Sequence, residues 1–382
     1  MLYYPTLYGV PYIAGGSDDL FFEKGSKMLA SMGHFVTTED IRAPIGTSHK
    51  GYHVFLTNLI VLAEKIDSYH TVLPRLINIL CAAMISGFTY ILGIHVGLNR
   101  KIASFAAILF GIHPSVLFFS SVVLRSLIIA FLASLVVLGY ILAQSGKVNK
   151  VCLGLFLLFI SALVLFYFRS WQVPAMGVLI LLSYILTKSK VKGFYKVCIV
   201  TIAVVLLLLA VRSPIENSFR IIGGSILRDK HMLGIPQLTH AERQNAGLAR
   251  YIFNQPFPLN LPLQVAYALV SPIPQFSRNL TTLHSSFFSL LFTLCLPALF
   301  IGSQIAWKVR KIRWLDIVFW GLFIGIAMSS FKGRQFIQTL PYCFILMGLG
   351  WQYAPKKVLS WIRIWGIIVL FLGVIYYSLK LC

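Results

Sequence analysis

Long apolar runs separated by short basic connections dominate the chain. Stretches long enough to cross a bilayer, which takes roughly 20 residues, lie near 71–95, 101–119, 122–143, 151–168, 171–188, 196–212, 283–306, 314–331, 335–352 and 364–380. Only helices or closed barrels satisfy their backbone polar groups in lipid. The pattern therefore predicts an all-α, polytopic transmembrane helical protein of about ten helices. Two longer polar stretches, 1–70 and 213–282, interrupt it. The first contains a helical-looking run, Leu20–Met32, and the second is cut by Pro214, Pro236, Pro256, Pro258, Pro262, Pro272 and Pro274, which predicts short helices between turns. Phe253, Phe257, Leu259, Leu261 and Leu263 suit the second stretch to a membrane surface, either as a roof over a cavity or as a passive cover. The organisation predicted is a loop with an acidic pair at 1–70, transmembrane helices over 71–212, a long loop at 213–282, and transmembrane helices over 283–382.

Composition agrees: 58% of the 382 residues are hydrophobic and 12% charged, against roughly 25% charged in a soluble domain. A net charge of +22 does not point to nucleic acid, because the cations sit in clusters between apolar runs. Those clusters are Arg100/Lys101, Lys147/Lys150, Lys188/Lys190/Lys192/Lys196, Lys308/Arg310/Lys311/Arg313 and Lys356/Lys357, in alternate connections. By the positive-inside rule they face the cytoplasm, which puts both long polar stretches on the outer face. Ten of the eleven carboxylates fall in those stretches, Asp316 being the exception, so carboxylate chemistry is expected outside. Met1 to Ala14 has two prolines and no basic residue. It is too short to span or to act as a signal peptide, and an upstream helix is expected to carry residues 1–70 across. Cys81, Cys152, Cys198, Cys295 and Cys343 lie in apolar runs and Cys382 at the end, without metal-site spacing, so neither disulfide nor zinc is assigned.

Three motifs occur in order: Gly16-Ser17-Asp18-Asp19-Leu20-Phe21-Phe22, Arg75-Leu76-Ile77-Asn78-Ile79-Leu80, and His113-Pro114-Ser115-Val116-Leu117-Phe118-Phe119-Ser120-Ser121. This order resembles the GT-C superfamily of membrane glycosyltransferases, in the bacterial branch similar to protein mannosyltransferases. Gly333-Arg334-Gln335-Phe336-Ile337-Gln338-Thr339-Leu340-Pro341-Tyr342 is similar to the arginine-containing loop and following helix of those proteins. The resemblance spans most of residues 15–352. Two departures stand out: relatives place a first transmembrane helix before the first outer loop, and they often carry an acidic residue where this chain has Leu124-Arg125-Ser126.

The resemblance implies transfer of a sugar from a polyprenyl-phosphate donor to a lipid-linked glycan or protein acceptor, at the outer face of a bacterial inner membrane. Such a reaction needs a base for the acceptor hydroxyl and cations for the departing phosphate. Asp18 is the expected base with Asp19 assisting, although two aspartates behind Ser17 also describe a plain helix N-terminus. Paired carboxylates suit a divalent cation as well as a direct base, so the metal is unknown and no cofactor is assigned. Arg334 is the leading phosphate ligand, with Lys332, Arg125 and Arg75 beside it. Arg125, the one charged residue plausible within a span, needs snorkelling or a polar partner. Glu39 and Asp40, followed by Arg42, His49, Lys50, Tyr52 and His53, offer contacts to acceptor or sugar. A solvated loop with a self-compensating charge pair explains them equally. His113 is expected as an interfacial side chain.

Two other functions stay open. Arg212, Arg220, Arg228, Arg243, Arg250 and Arg278 in the long loop suit the diphosphate carriers of an oligosaccharide repeat-unit polymerase or ligase. A non-enzymatic transporter or flippase component ranks last, because it would place ionisable groups in mid-helix.

Overall fold

The computed structural model describes residues 18–41, 50–145, 147–170, 172–188, 260–270, 280–329 and 333–381. In chain order the helices are α1 (Asp18–Ala30), α2 (Lys50–Ile66), α3 (Val72–His95), α4 (Arg100–Ile112), α5 (Pro114–Ser120), α6 (Ser126–Ala143), α7 (Val148–Phe168), α8 (Gln172–Lys188), α9 (Asn260–Val270), α10 (Leu280–Lys308), α11 (Arg313–Ser329), α12 (Gly333–Phe336), α13 (Leu340–Tyr353) and α14 (Pro355–Leu381), with a 3₁₀ turn at Arg310–Ile312. Among the described residues there is no strand. The protein is an all-α polytopic membrane protein.

Among the described residues five helices are long and apolar enough to cross a membrane: α3, α6, α7, α10 over Phe287–Lys308 and α14 over Pro355–Ile375. A sixth crossing forms if α4 and α5 act together; the expected single run at 101–119 is bent by 52° between them. Pro114 causes that break. It has no N–H to continue α4, and it occupies the first turn of α5, where none is needed. His113 is the N-cap, its Nδ1 accepting from Ser115 N at 3.2 Å. α8, α11 and α13 fill the expected spans at 171–188, 314–331 and 335–352 with shorter helices. The expected span at 196–212 lies outside the described residues.

The chain forms two compact units, residues 1–89 with 107–177, and 90–106 with 178–382. In the first, α6 and α7 pack along their length because glycines let the backbones close. A Cβ on Gly139 would stand 2.7 Å from Gly154 O, and one on Gly154 2.4 Å from Ala143 N. Most of α6 is buried, whereas α7 exposes Phe156, Phe159 and Phe166, an apolar face suited to lipid.

The second unit centres on α10 against α13, again through small residues: a Cβ on Gly302 would meet Leu346 O, and one on Gly350 would lie 2.3 Å from Ala298 O. The turn between α3 and α4 is fastened to the end of α13. Gly97, at φ 97°, accepts through its carbonyl from Gln352 Nε2 at 2.9 Å and from the Tyr353 hydroxyl at 3.1 Å. Asn99 N donates to Gln352 Oε1 at 2.7 Å, and Asn99 Oδ1 caps α4 through Ile102 N. Asp316, in the first turn of α11, accepts from Ser303, whose hydroxyl also accepts from Trp320 Nε1 at 2.9 Å. This buried carboxylate is hydrogen-bonded and suits the positive end of its helix.

Candidate functional site

The first polar stretch folds into a pair of helices. Contacts advance in the same direction along both: Phe22 packs on Tyr52 with ring centroids 4.9 Å apart, and the Thr57 hydroxyl donates to Ser26 O at 3.4 Å. α1 and α2 are thus parallel, and the chain between them must return along the pair. Asn58 holds that return, accepting from Val36 N at 2.8 Å and donating to Val36 O at 3.0 Å. α2 buries Tyr52, His53, Leu56, Thr57, Ile60 and Val61, the three- and four-residue spacing of one helix face.

α2 is also pinned to α7. A Cβ on Gly51 would stand 1.9 Å from Tyr167 O, so only glycine allows this approach. Phe168 then packs near Tyr52 and Phe55, at 6.2 and 5.8 Å between centroids. Arg125 immediately precedes α6 and donates from Nη1 to Phe168 O, at 2.9 Å. That carbonyl belongs to the negative end of α7, where a cation is favoured. The polar partner Arg125 required is therefore a helix terminus, and the guanidinium stands at a helix end instead of in mid-span.

His53 lies on α2 with no exposed surface, which sets aside the solvated-loop alternative for it. Its Nδ1 is 3.2 Å from Ser26 Oγ, and its ring lies 5.8 and 5.2 Å from those of Phe21 and Phe22. Burial pushes the imidazole pKa down to about 4, and the charge of Arg125 adds to the effect. Its Nε2 has no hydrogen-bond partner among the described residues. Arg75 is buried in the first turns of α3. One turn further on, Asn78 Nδ2 donates to Val122 O at 2.8 Å and Leu124 O at 3.0 Å, fixing the turn that leads into Arg125.

Arg125, His53 and Arg75 thus belong to one end of the first unit, built from helix ends that the charge pattern predicts to face outward. Glu39 and Asp40 are both exposed, and Asp40 Oδ2 accepts from Thr37 N at 2.6 Å and Thr37 Oγ1 at 3.0 Å, closing a turn. Those bonds hold its carboxyl below the usual range. Asp18 and Asp19 open α1, but their side chains are outside the described residues, as is that of Arg334 on α12 and the whole of Lys332. Among the described residues no group of three or more His, Cys, Asp or Glu forms a metal site.

The sequence reading overlooked Glu23. It has no exposed surface, its Oε1 lies 3.1 Å from Lys27 Nζ, and neither oxygen has a hydrogen bond among the described residues. A buried carboxylate answered by one lysine is costly to hold. The signal was available: Asp19, Glu23 and Lys27 recur every four residues, which stacks their positions along one side of α1. No protein-family model, curated protein or solved structure matches the chain.

Proposed function

We propose that the protein is a membrane glycosyltransferase, of hexosyltransferase-like GT-C type, acting in polysaccharide biosynthesis at the outer face of a bacterial inner membrane. It moves a sugar from a polyprenyl-phosphate donor to a lipid-linked glycan or protein acceptor. One observation supports this reading most: α1, which opens on Asp18-Asp19 and carries the buried Glu23, packs beside His53 at the end of the unit where Arg125 is anchored. Acid and base chemistry and cationic charge are thereby supplied by one unit.

In the proposed reaction Asp18, assisted by Asp19, takes the proton of the acceptor hydroxyl. The hydroxyl oxygen attacks the anomeric carbon from the side opposite the phosphate, inverting it. The bond from that carbon to the phosphate oxygen breaks, and its electron pair leaves with the polyprenyl phosphate. Arg125 stabilises the charge on the departing group; Arg334 and Lys332 of the second unit are the further cations that the resemblance implies for this role. Either aspartate could instead hold a divalent cation, and restoration of a variant's activity by a changed ion would assign them that role.

The test is transfer of labelled sugar by purified protein in lipid, comparing Asp18→Asn, Asp19→Asn and the double variant. Loss of a positioned base lowers the rate about 10²–10⁴-fold, whereas loss of a favourable helix-dipole interaction costs only about 0.3–1 kcal/mol of stability. Activity within a few-fold of the parent in all three would reduce the pair to a helix cap. A severe defect confined to Asp19→Asn would reassign the base.

A further inference from the structure

We propose that the end of the second unit where the turn before α4 meets the start of α14 docks the headgroup of an anionic phospholipid, with Arg100, Lys101, Lys356 and Lys357 supplying the charge. The inference stands apart from sugar transfer and does not depend on it.

Three hydrogen bonds assemble this end from segments far apart in the chain. Asn99 N donates to Gln352 Oε1 across 253 positions, Gln352 Nε2 donates to Gly97 O, and the Tyr353 hydroxyl donates to the same carbonyl. Beside them a Cβ on Gly348 would stand 2.9 Å from Ile102 Cγ2, so α13 and α4 are in close contact. Arg100 follows Asn99 directly, and Lys356 and Lys357 come shortly after Gln352 and Tyr353. Two basic connections are thus gathered at one place within one compact unit.

No described residue answers this charge. All four cations are exposed and none forms an ion pair with a described residue. The sequence holds no carboxylate between residues 68 and 215 or after 316. Each pair also lies in the first turn of its helix, where the backbone already disfavours positive charge. An anion among the four relieves both effects.

The membrane selects the kind of anion. α14 is a helix of spanning length with only 6% of its apolar window buried. Its inner side is fixed, because Val358 is fully buried and Trp365 Nε1 donates to Thr293 O on α10 at 2.7 Å. At about 100° per residue, Lys356, Ser360, Arg363, Ile367, Leu370 and Val374 share the opposite side, and all six are exposed. Read along the helix, that stripe passes from cation to bare aliphatic surface, the order of polarity in a phospholipid from headgroup to acyl chain. Arg363, about 10 Å along the axis from Lys356, can snorkel back to headgroup depth. On α4, Lys101 and the exposed Phe105 repeat the order over one turn. A soluble anion leaves the aliphatic part of the stripe unused, whereas a lipid matches both parts.

The experiment uses the full chain in neutral detergent and counts bound lipids by native mass spectrometry. Phosphatidylglycerol is the anionic probe, and phosphatidylcholine with the same acyl chains is the neutral one. Phosphatidylglycerol should bind at least about 10-fold more tightly, and Lys356→Gln combined with Lys357→Gln should remove most of that preference, since each cation beside an anionic headgroup contributes about 5-fold. Lys147→Gln combined with Lys150→Gln takes the same charge from another basic connection and should leave binding within about 2-fold, distant charges being screened. Gln352→Leu keeps every cation but releases the turn from α13, and should weaken phosphatidylglycerol about 3- to 10-fold, the range for loss of hydrogen bonds that hold a site. Equal binding of the two lipids overturns the proposal. So does an equal loss from the two lysine pairs, which would make the preference a matter of overall charge, and so does a folded Gln352→Leu protein that binds as the parent does. If Gln352→Leu fails to fold, the contrast between the two lysine pairs decides.

Discussion

Gly51→Ala is the sharpest probe of the junction between α2 and α7. The added methyl carbon would lie 1.9 Å from Tyr167 O, whereas carbon and oxygen rest no closer than about 3.3 Å. Relief therefore requires a displacement of about 1.4 Å between two helix backbones, because the obstacle is a main-chain carbonyl and cannot rotate away. Overpacking of this kind costs about 1–3 kcal/mol, and sometimes more. The displacement also moves His53, two residues on, relative to Phe168 O and the guanidinium it holds. Misplacement by about 1 Å in a site can cost 10²-fold, so polyprenyl-phosphate binding should fall by a comparable factor. Thermal melting and polyprenyl-phosphate binding, both in nanodiscs, read the two effects separately. Gly87→Ala is the control: nothing lies within 4 Å of its added carbon, and replacing a mid-helix glycine is neutral or stabilising by up to about 1 kcal/mol. A Gly51→Ala protein that melts with the parent and binds as it does would refute the close approach and the positioning built on it.

Two further predictions concern protonation and orientation. Because burial and Arg125 lower the His53 pKa from its ordinary 6.5 to about 4, the unfolded chain binds a proton in that window and the folded chain does not. Stability should fall as pH drops from 6.5 toward 4, by of order 3 kcal/mol from this residue, and level off below; parallel pH–melting curves for the parent and His53→Gln would contradict it. Reporters that respond on one side of the membrane should place residues 144–150 and 307–313 in the cytoplasm and 213–282 outside, and cytoplasmic activity from a fusion near residue 245 would reverse the orientation.

Run length and charge made most of the transmembrane helices readable. The stretches at 71–95, 122–143, 151–168, 283–306 and 364–380 became α3, α6, α7, α10 and α14 because an apolar run of spanning length leaves few alternatives to helix, even in α10, which accommodates Pro297. The break at His113-Pro114 was written in the sequence as a cap followed by a proline, but counting apolar residues passes over such punctuation. α2 escaped notice because Lys50, His53, Asn58, Glu64 and Lys65 give it a polar average; its buried face follows from spacing. Arg125, His53 and Arg75 were legible only as candidates. Their assembly depends on contacts such as Arg125 to Phe168, 43 positions apart, which no local pattern encodes. For Asp40 a local pattern was legible, since Thr37 three residues earlier supplies its hydrogen bonds.

The bond from Arg125 to Phe168 O ends on the main chain, so it is indifferent to which side chain occupies position 168 and sensitive to where α7 stops. Each residue advances a helix by about 100° and 1.5 Å. Inserting or deleting one amino acid between Val148 and Phe168 would swing the terminal carbonyl away from the guanidinium, even if every substituted residue were equally apolar. The quantity stored in this segment is a length. A long run that seems tolerant of exchange among leucine, phenylalanine and valine should therefore be intolerant of indels, and α7 acts as a ruler that sets where the cation of α6 is held.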